Sequence, residues 1–227
     1  METSLHQQLK AHYAGDEGEV EVRRGRYRID VVRGDLLIEV QHGGLSAIRD
    51  KIRKLCDTDR VLVVKPIVAR RRIIKLDKQG GNVVSRRWSP KRGTPLDLFD
   101  DLVHFTRAFP HKRLTLEVPL VEVEEVRYPG HGRRRRWRKN DFVVEDQCLA
   151  SVGKTLRFQK AADLWQLVPG KLPKEFDTAE LARAIDAPRW VAQRAAYCFR
   201  EMGVVKQVGK RRNAWLYQRV GRRRKAA

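Results

Sequence analysis

Two carboxylates interrupt neighbouring apolar runs near the start of the chain. In the stretch YRIDVVRGDLLIEVQ, residues 27–41, Asp30 and Glu39 stand among valine, isoleucine and leucine, where ionised groups are costly unless they are paired. Side chains alternate between the two faces of a strand, so Glu39 and Gln41 share one face. A turn over residues 33–35 would bring Asp30 opposite Glu39 or one pairing step away. The spacing predicts that these three side chains converge.

A divalent cation would relieve the repulsion between two close carboxylates. Oxygen ligands suit Mg²⁺ or Mn²⁺, and Mg²⁺ takes one or two protein carboxylates and fills its other positions with water and phosphate oxygens. Water next to such a metal becomes acidic enough to act as a nucleophile. The alternative is that the carboxylates form ordinary ion pairs with Arg28 or Arg33.

The elements that must position these residues follow from periodicity and turn residues. We predict a helix over 3–13, three strands separated by turns at 23–26 and 33–35, a helix over 45–55 and a buried strand over 61–64. Beyond them we predict a hairpin around residues 77–82, a helix from Thr94 to Phe109 and an alternating strand or hairpin over 113–128.

In this order of elements the chain resembles the PD-(D/E)XK nuclease superfamily, whose core is a helix, a three-stranded meander, a helix and a strand. Asp30 matches the aspartate of that family, and EVQ at 39–41 matches its E-X-K. The resemblance covers residues 3–67. It implies a restriction-endonuclease-like core, a metal held by Asp30 and Glu39, and a Mg²⁺-dependent endonuclease with Asp30, Glu39 and Gln41 as its catalytic residues.

This sequence departs from the family at two positions. Gln41 stands where lysine is usual, and a neutral amide can orient water but cannot supply the positive charge; some restriction-endonuclease members carry glutamine here. Many members have a glutamate on the first helix, where this chain offers Glu2, His6 and Gln7. Lys65, after the fourth strand, is a candidate for the missing charge. The core is also similar to archaeal-type Holliday junction resolvases or small restriction-like nucleases, which implies double-stranded or branched DNA as substrate and, for the resolvases, a homodimer.

Charge indicates a polyanionic partner. The 49 Lys and Arg residues against 28 Asp and Glu give a formal net charge of +21, more than solubility requires, so we expect nucleic acid. We expect no membrane partner, because no apolar run approaches the length of a membrane span. A glycine-flanked basic run predicts a phosphate contact, although it could also be a solvated loop; its residues are Arg133, Arg134, Arg135, Arg136, Trp137, Arg138 and Lys139.

The C-terminal part has the pattern of a winged helix-turn-helix. Helices predicted over 158–168, 178–185 and 188–202 precede two strands around the turn GKRRN at 209–213. Asp177, with Glu180 three residues on, predicts a capping box at the start of the second helix. In such motifs a helix enters the major groove and the wing contacts phosphates, although winged helices also bind proteins. The expected DNA contacts are Arg189, Gln193 and Arg194 on the third helix and Lys210, Arg211 and Arg212 at the wing.

The whole chain is thus expected to be α/β, with a nuclease-like mixed-sheet domain over 1–154 and a winged helix domain over 155–227. Three scattered cysteines and no apolar leader near the N-terminus predict a reduced, cytoplasmic protein, bound to the nucleoid if the source is bacterial or archaeal. Three functions stay open: a metal-dependent endonuclease, a non-catalytic DNA-binding regulator or architectural protein on a degenerate nuclease fold, and an RNA-binding protein.

Overall fold

A computed structural model of the chain describes residues 3–130 and 141–221. The helices are α1 Ser4–Ala14, α2 Arg49–Leu55, α3 Leu98–Leu102, α4 Thr178–Ala184 and α5 Arg189–Glu201. The strands are β1 Glu19–Arg24, β2 Tyr27–Arg33, β3 Leu36–Val40, β4 Arg60–Val64, β5 Ile67–Leu76, β6 Val83–Trp88, β7 Leu114–Pro129, β8 Phe142–Phe158, β9 Glu175–Phe176, β10 Val205–Arg211 and β11 Ala214–Arg219. Short 3-10 helices cover Leu45–Ala47, Pro95–Asp97 and Ala161–Leu167.

The strands form a larger and a smaller sheet. The larger has the order β1-β2-β3-β4-β7-β5-β6, with β8 also paired to β7, and the smaller has the order β10-β11-β9. The pairs β1–β2, β2–β3 and β5–β6 are antiparallel, whereas β5 and β7 are parallel. The larger sheet is therefore mixed, and the predicted α/β class is confirmed. None of the helices in the described ranges offers the apolar length that crossing a bilayer requires.

The predicted meander of β1, β2 and β3 is confirmed. Its turns connect Arg24 to Tyr27 and Arg33 to Leu36 as directly paired residues, so each loop has two residues. Gly25 and Gly34 open these loops with φ of 58° and 57°. Glycine adopts this left-handed backbone without the steric cost of a Cβ, which is why such short turns form here.

Two predicted helices are shorter than expected. After Pro95 the α-helix covers only Leu98–Leu102, and the chain continues as turns that bury Phe105 and Phe109. Burial of these aromatic rings outweighs helix propensity, which is low for the β-branched and aromatic residues that follow Leu102. The helix predicted over 158–168 is also wrong in its first residues, because β8 extends to Phe158 and a 3-10 helix follows.

The described residues divide into two compact units that do not follow chain order. The first contains 3–42, 63–94, 117–130 and 141–156, and the second contains 43–62, 95–116 and 157–221. The sequence-based boundary at 155 assigned 43–62 and 95–116 to the N-terminal domain, and the structure groups them with the C-terminal segment. Phe99 of α3 explains this in part, since its ring packs edge-on against Phe199 of α5 at 5.4 Å between centroids.

Candidate functional site

The hairpin of β2 and β3 determines where the two carboxylates lie. Val31 pairs with Ile38 and Val32 with Leu37. Asp30 and Glu39 come one step further along the same two strands, on one face of the sheet by the alternation of side chains. The structure therefore places Asp30 opposite Glu39, one of the two registers expected from a turn over residues 33–35.

Asp30 closes the end of the β2–β3 ladder with its side chain. The backbone amide of Val40 donates a hydrogen bond of 2.8 Å to Oδ2 of Asp30. The same Oδ2 lies 3.5 Å from Nε2 of His6 on α1. A carboxylate that accepts a backbone hydrogen bond and faces an imidazole is held in one orientation, so Asp30 is pre-positioned at the end of the strand pair.

Helix α1 is held in place by β8, which the sequence did not predict. The backbone amide of Ser4 donates to Oδ1 of Asp146 at 3.0 Å, and the amide of Leu149 donates to Oε1 of Gln8 at 2.6 Å. Burial raises the pKa of Asp146, but the hydrogen bonds from Ser4 and Gln147 lower it by more. The pKa of Asp146 is therefore below its ordinary value. Asp146 thus stays ionised at the positive end of α1 and fixes the helix that carries His6.

Glu39 and Lys65 are both buried beside the same strand ends. Glu39 is 3% exposed and Lys65 is 7% exposed. The amide of Gln41 donates to the carbonyl oxygen of Val64 at 2.8 Å, and Nζ of Lys65 donates to the carbonyl oxygen of His42 at 3.0 Å. The ammonium group of Lys65 therefore lies next to the segment that carries Gln41, the position at which the sequence resemblance led us to expect a lysine.

His42 lies in a partly buried region with several positive charges, and both lower its pKa. Burial lowers its pKa first, and the positive charges of Lys65, Arg71 and His6 lower it further. The imidazole of His42 is therefore neutral near pH 7, and it can accept a proton or a hydrogen bond there.

Glu21 of β1 belongs to an ion-pair cluster. It accepts a hydrogen bond of 2.7 Å from Nζ of Lys10 and also pairs with Arg28. The hydrogen bond from Lys10 is the largest of the effects that lower the pKa of Glu21. This placement is that of an ordinary ion-paired strand residue. The helix-1 residue that does approach Asp30 is His6.

The side chains near Asp30 offer oxygen donors for the divalent metal that the sequence resemblance implies. Asp30, Glu39 and the amide oxygen of Gln41 are oxygen donors, and two carboxylates match the number that Mg²⁺ takes from a protein. Within residues 3–130 and 141–221, no group of three or more His, Cys, Asp and Glu side chains is arranged to hold a metal ion. The residues present fit a Mg²⁺ or Mn²⁺ ion that is completed by water and phosphate, and they do not fit an all-protein cage.

The second group of predicted contacts lies on α5. Its buried side is formed by Val191, Ala192, Ala195, Ala196, Cys198 and Phe199, and Arg189, Gln193 and Arg194 are exposed, as predicted. Nε of Arg189 donates to Oγ1 of Thr178 at 3.4 Å, while Arg194 pairs with Asp100. Two exposed rings on this side, Trp190 and Tyr197, were not singled out from the sequence, although their spacing of seven residues was visible.

The β10–β11 hairpin carries the predicted wing residues. Nζ of Lys210 lies 4.3 Å from the centre of the Trp215 ring, and Arg212 takes φ of 55° in the turn. Arg211 instead points its charge at the start of α4, where it lies 2.7 Å from Glu180 and 3.7 Å from Asp177. Part of the positive charge of Arg211 is thus balanced by these two carboxylates, and its contact with phosphate stays a prediction.

Asp177 and Glu180 form the predicted capping box of α4. Oδ1 of Asp177 accepts from the amides of Ala179 and Glu180 at 2.8 and 2.9 Å, and Oε2 of Glu180 accepts from the amide of Asp177 at 2.8 Å. The bond from the Glu180 amide is the largest of the effects that hold the pKa of Asp177 below its usual range. This box fixes the start of α4.

The basic run of the sequence lies outside the described residues. Its members are Arg133, Arg134, Arg135, Arg136, Trp137, Arg138 and Lys139. Strand β7 ends at Pro129, before this segment, and strand β8 begins at Phe142, after it. A phosphate contact by the run stays a prediction.

Comparison with known proteins gives the family of the chain. A family model described as Domain of unknown function (DUF8091) matches residues 3–159. An uncharacterized protein of Treponema pallidum (strain Nichols) is 31% identical over 185 residues, which cover 80% of this chain and 72% of that relative. No solved structure matches the chain. The matched residues include the whole Asp30–Glu39 hairpin and end one residue after β8. On this evidence the chain belongs to the DUF8091 family.

Proposed function

We propose that the chain is a DNA-binding, metal-dependent endonuclease that hydrolyses phosphodiester bonds at the end of the β2–β3 hairpin. The pairing of Val31 with Ile38, which leaves Asp30 and Glu39 on one face, is the observation that carries the proposal. The order of α1, the β1–β3 meander, α2 and β4, with β4 beside β3 in the sheet, supports a restriction-endonuclease-like core.

Each residue of the site has a role in this proposal. Asp30 and Glu39 hold Mg²⁺ or Mn²⁺, and the Val40 amide keeps the Asp30 carboxylate oriented. A bound divalent ion supplies charge that neutralises phosphate oxygens and lowers the pKa of water. The Gln41 amide orients the attacking water, and the ammonium of Lys65 contributes the positive charge that glutamine lacks. His42, neutral near pH 7, is available to accept the proton of that water.

The C-terminal elements support a winged helix that holds the DNA. The 3-10 helix Ala161–Leu167 is followed by β9, α4, α5, β10 and β11, and the last two strands form an antiparallel hairpin with the basic residues Lys210, Arg211 and Arg212. Double-stranded or branched DNA is the proposed substrate, and a homodimer is the proposed assembly. A net charge of +21 supports a nucleic-acid partner.

Gln41 favours a second candidate function. A chain that retains the two carboxylates but lacks the family lysine could bind DNA without cutting it, as a regulator or architectural protein. The buried ammonium of Lys65 beside His42 is the observation that favours the enzyme over this alternative.

Cleavage of labelled linear, flapped and four-way-junction DNA tests the proposal. Wild type should cut in Mg²⁺ or Mn²⁺ and not in EDTA, and Asp30→Asn should bind the same DNA without cutting it. Asp35→Asn is the matched control, because Asp35 is an exposed carboxylate in the turn of the same hairpin. Tight binding with no cutting under any condition would favour the non-catalytic alternative. Cutting by Asp30→Asn at the wild-type rate would show that Asp30 is not part of the catalytic site.

A further inference from the structure

Helix α5 exposes two large aromatic rings on the side that faces solvent. Trp190 is 50% exposed and Tyr197 is 40% exposed. Rings of this size usually lie in a core, and the opposite side of α5 is buried in the ordinary way through Ala192, Ala195 and Phe199. The two exposed rings are therefore available for a ligand.

The two rings point in nearly the same direction. Residues seven apart on an α-helix are separated by about two turns, which is about 10 Å along the axis. Trp190 and Tyr197 lie near the centre of the solvent side, with Gln193 and Arg194 between them. Stacked nucleotides advance by about 3.4 Å along one strand, so the distance between the rings matches about three nucleotides.

An arginine guanidinium group lies over each of the two rings. The Arg194 guanidinium lies 4.8 Å from the centre of the Trp190 ring, and that of Arg200 lies 5.5 Å from the centre of the Tyr197 ring. Asp100 and Glu201 contact these arginines and hold them in position. Aromatic rings with flat guanidinium groups beside them suit a ligand with flat bases.

Duplex DNA leaves few base faces exposed for stacking on such rings. Base edges in the major groove are recognised by hydrogen-bonding side chains, and the faces of paired bases are covered by their neighbours in the stack. The centre of the α5 surface also exposes the rings of Trp190 and Tyr197, and ring faces stack on unpaired bases. We infer that the Trp190–Tyr197 side of α5 binds single-stranded DNA by base stacking. This inference rests on the proposed function, and it narrows the substrate to DNA with an unpaired segment.

Binding of fluorescent oligothymidylate and of a duplex of equal length tests the inference. The full-length chain is used in the Asp30→Asn background so that no DNA is cut. Trp190→Ala and Tyr197→Ala should each weaken oligothymidylate binding about tenfold and change duplex binding by less than about twofold. Trp190→Phe retains a ring and should restore most of the affinity.

Trp88→Ala is the matched control. Trp88 on β6 is 43% exposed. Like the two rings of α5 it has an arginine next to it, because the Arg70 guanidinium lies 4.1 Å from its ring centre. This variant should bind oligothymidylate as the parent does. A second measurement uses tryptophan fluorescence, because oligothymidylate should quench the parent more than Trp190→Phe.

Three outcomes would overturn the inference. An equal loss of duplex and oligothymidylate binding would make α5 a groove-binding helix. Unchanged DNA binding, with weaker self-association of the alanine variants in sedimentation, would make the surface a protein contact. No quenching of Trp190 at saturating oligothymidylate would exclude stacking. Because these assays use a chain that cannot cut, they do not depend on whether cleavage is found in wild type.

Discussion

The Asp30 carboxylate accepts a hydrogen bond of 2.8 Å from the amide of Val40, the residue that follows Glu39. This single bond joins the two strands at the point where the ladder of β2 and β3 would otherwise end. It also holds the Asp30 carboxylate against the strand that carries Glu39, the other proposed metal ligand. Asp30 therefore has a structural and a proposed catalytic role, and variants can separate them.

Asp30→Ala and Asp30→Asn should differ in stability. Asparagine retains an oxygen that can accept from the Val40 amide, whereas alanine leaves that donor without this acceptor. We expect Asp30→Ala to lower the free energy of unfolding by about 1–3 kcal/mol and Asp30→Asn to lower it by less. Urea denaturation measures the difference. Equal losses in both variants would mean that the hydrogen bond contributes little.

Glu39→Gln should abolish stabilisation by metal. A ligand that binds only the folded state raises its stability, so Mn²⁺ should raise the melting temperature of wild type. The variant loses one of two anionic ligands, and its melting temperature should not respond to Mn²⁺. Glu145→Gln, an exposed carboxylate on β8, serves as control and should respond as wild type does. A Mn²⁺ response that survives in Glu39→Gln would place the ion elsewhere.

Lys65→Met should reduce cleavage more than it reduces DNA affinity. Removal of one charge aimed at developing negative charge typically costs about 10²-fold or more in rate. Lys75→Met removes an exposed lysine from the same unit and should cut normally. Gln41→Lys, which introduces the residue that is usual in the PD-(D/E)XK pattern that the sequence resembles, should raise the cleavage rate, and in Lys65→Met it should restore activity. Single-turnover assays with excess enzyme separate the rate from binding.

Asp177 should make the chain less stable in acid. Its pKa in the folded state is lowered from about 3.9, so its contribution is complete above that pH and is lost as pH falls through the lower folded value. Asp177→Asn keeps the cap acceptor without the charge and should lose less stability between pH 5 and pH 2. Thermal melts across this range make the comparison. If the melting temperatures of wild type and Asp177→Asn fell in parallel with pH, the charge of Asp177 would not be the cause of the acid instability.

DNA affinity should fall steeply with salt. A protein that neutralises about six phosphates loses about 10³-fold in affinity between 50 and 200 mM salt, because it releases condensed counterions. Alanine at Arg133, Arg134, Arg135 and Arg136 together should reduce the slope if the basic run contacts phosphate. Titration at four salt concentrations gives the slope. A shallow slope in wild type would argue against a basic DNA-binding surface.

Local patterns in the sequence determined several features correctly. Gly34 made the β2–β3 turn short, and alternation then placed Asp30 and Glu39 on one face. Asp177 and Glu180 predicted the capping box, because its hydrogen bonds connect residues only three apart. Each of these features depends on a few neighbouring residues, so the chain encodes it without reference to the rest of the fold.

Other features were decided only by the tertiary structure. The contact of His6 with Asp30, the Asp146 cap on α1 and the Lys65 bond to His42 join residues 24, 142 and 23 positions apart. The parallel pairing of β5 with β7 and the packing of Phe99 on Phe199 have similar spans. Such contacts depend on sheet order and on burial summed over many residues, which short-range periodicity does not contain. The sequence therefore indicated which carboxylates meet, and the fold decided which charges surround them.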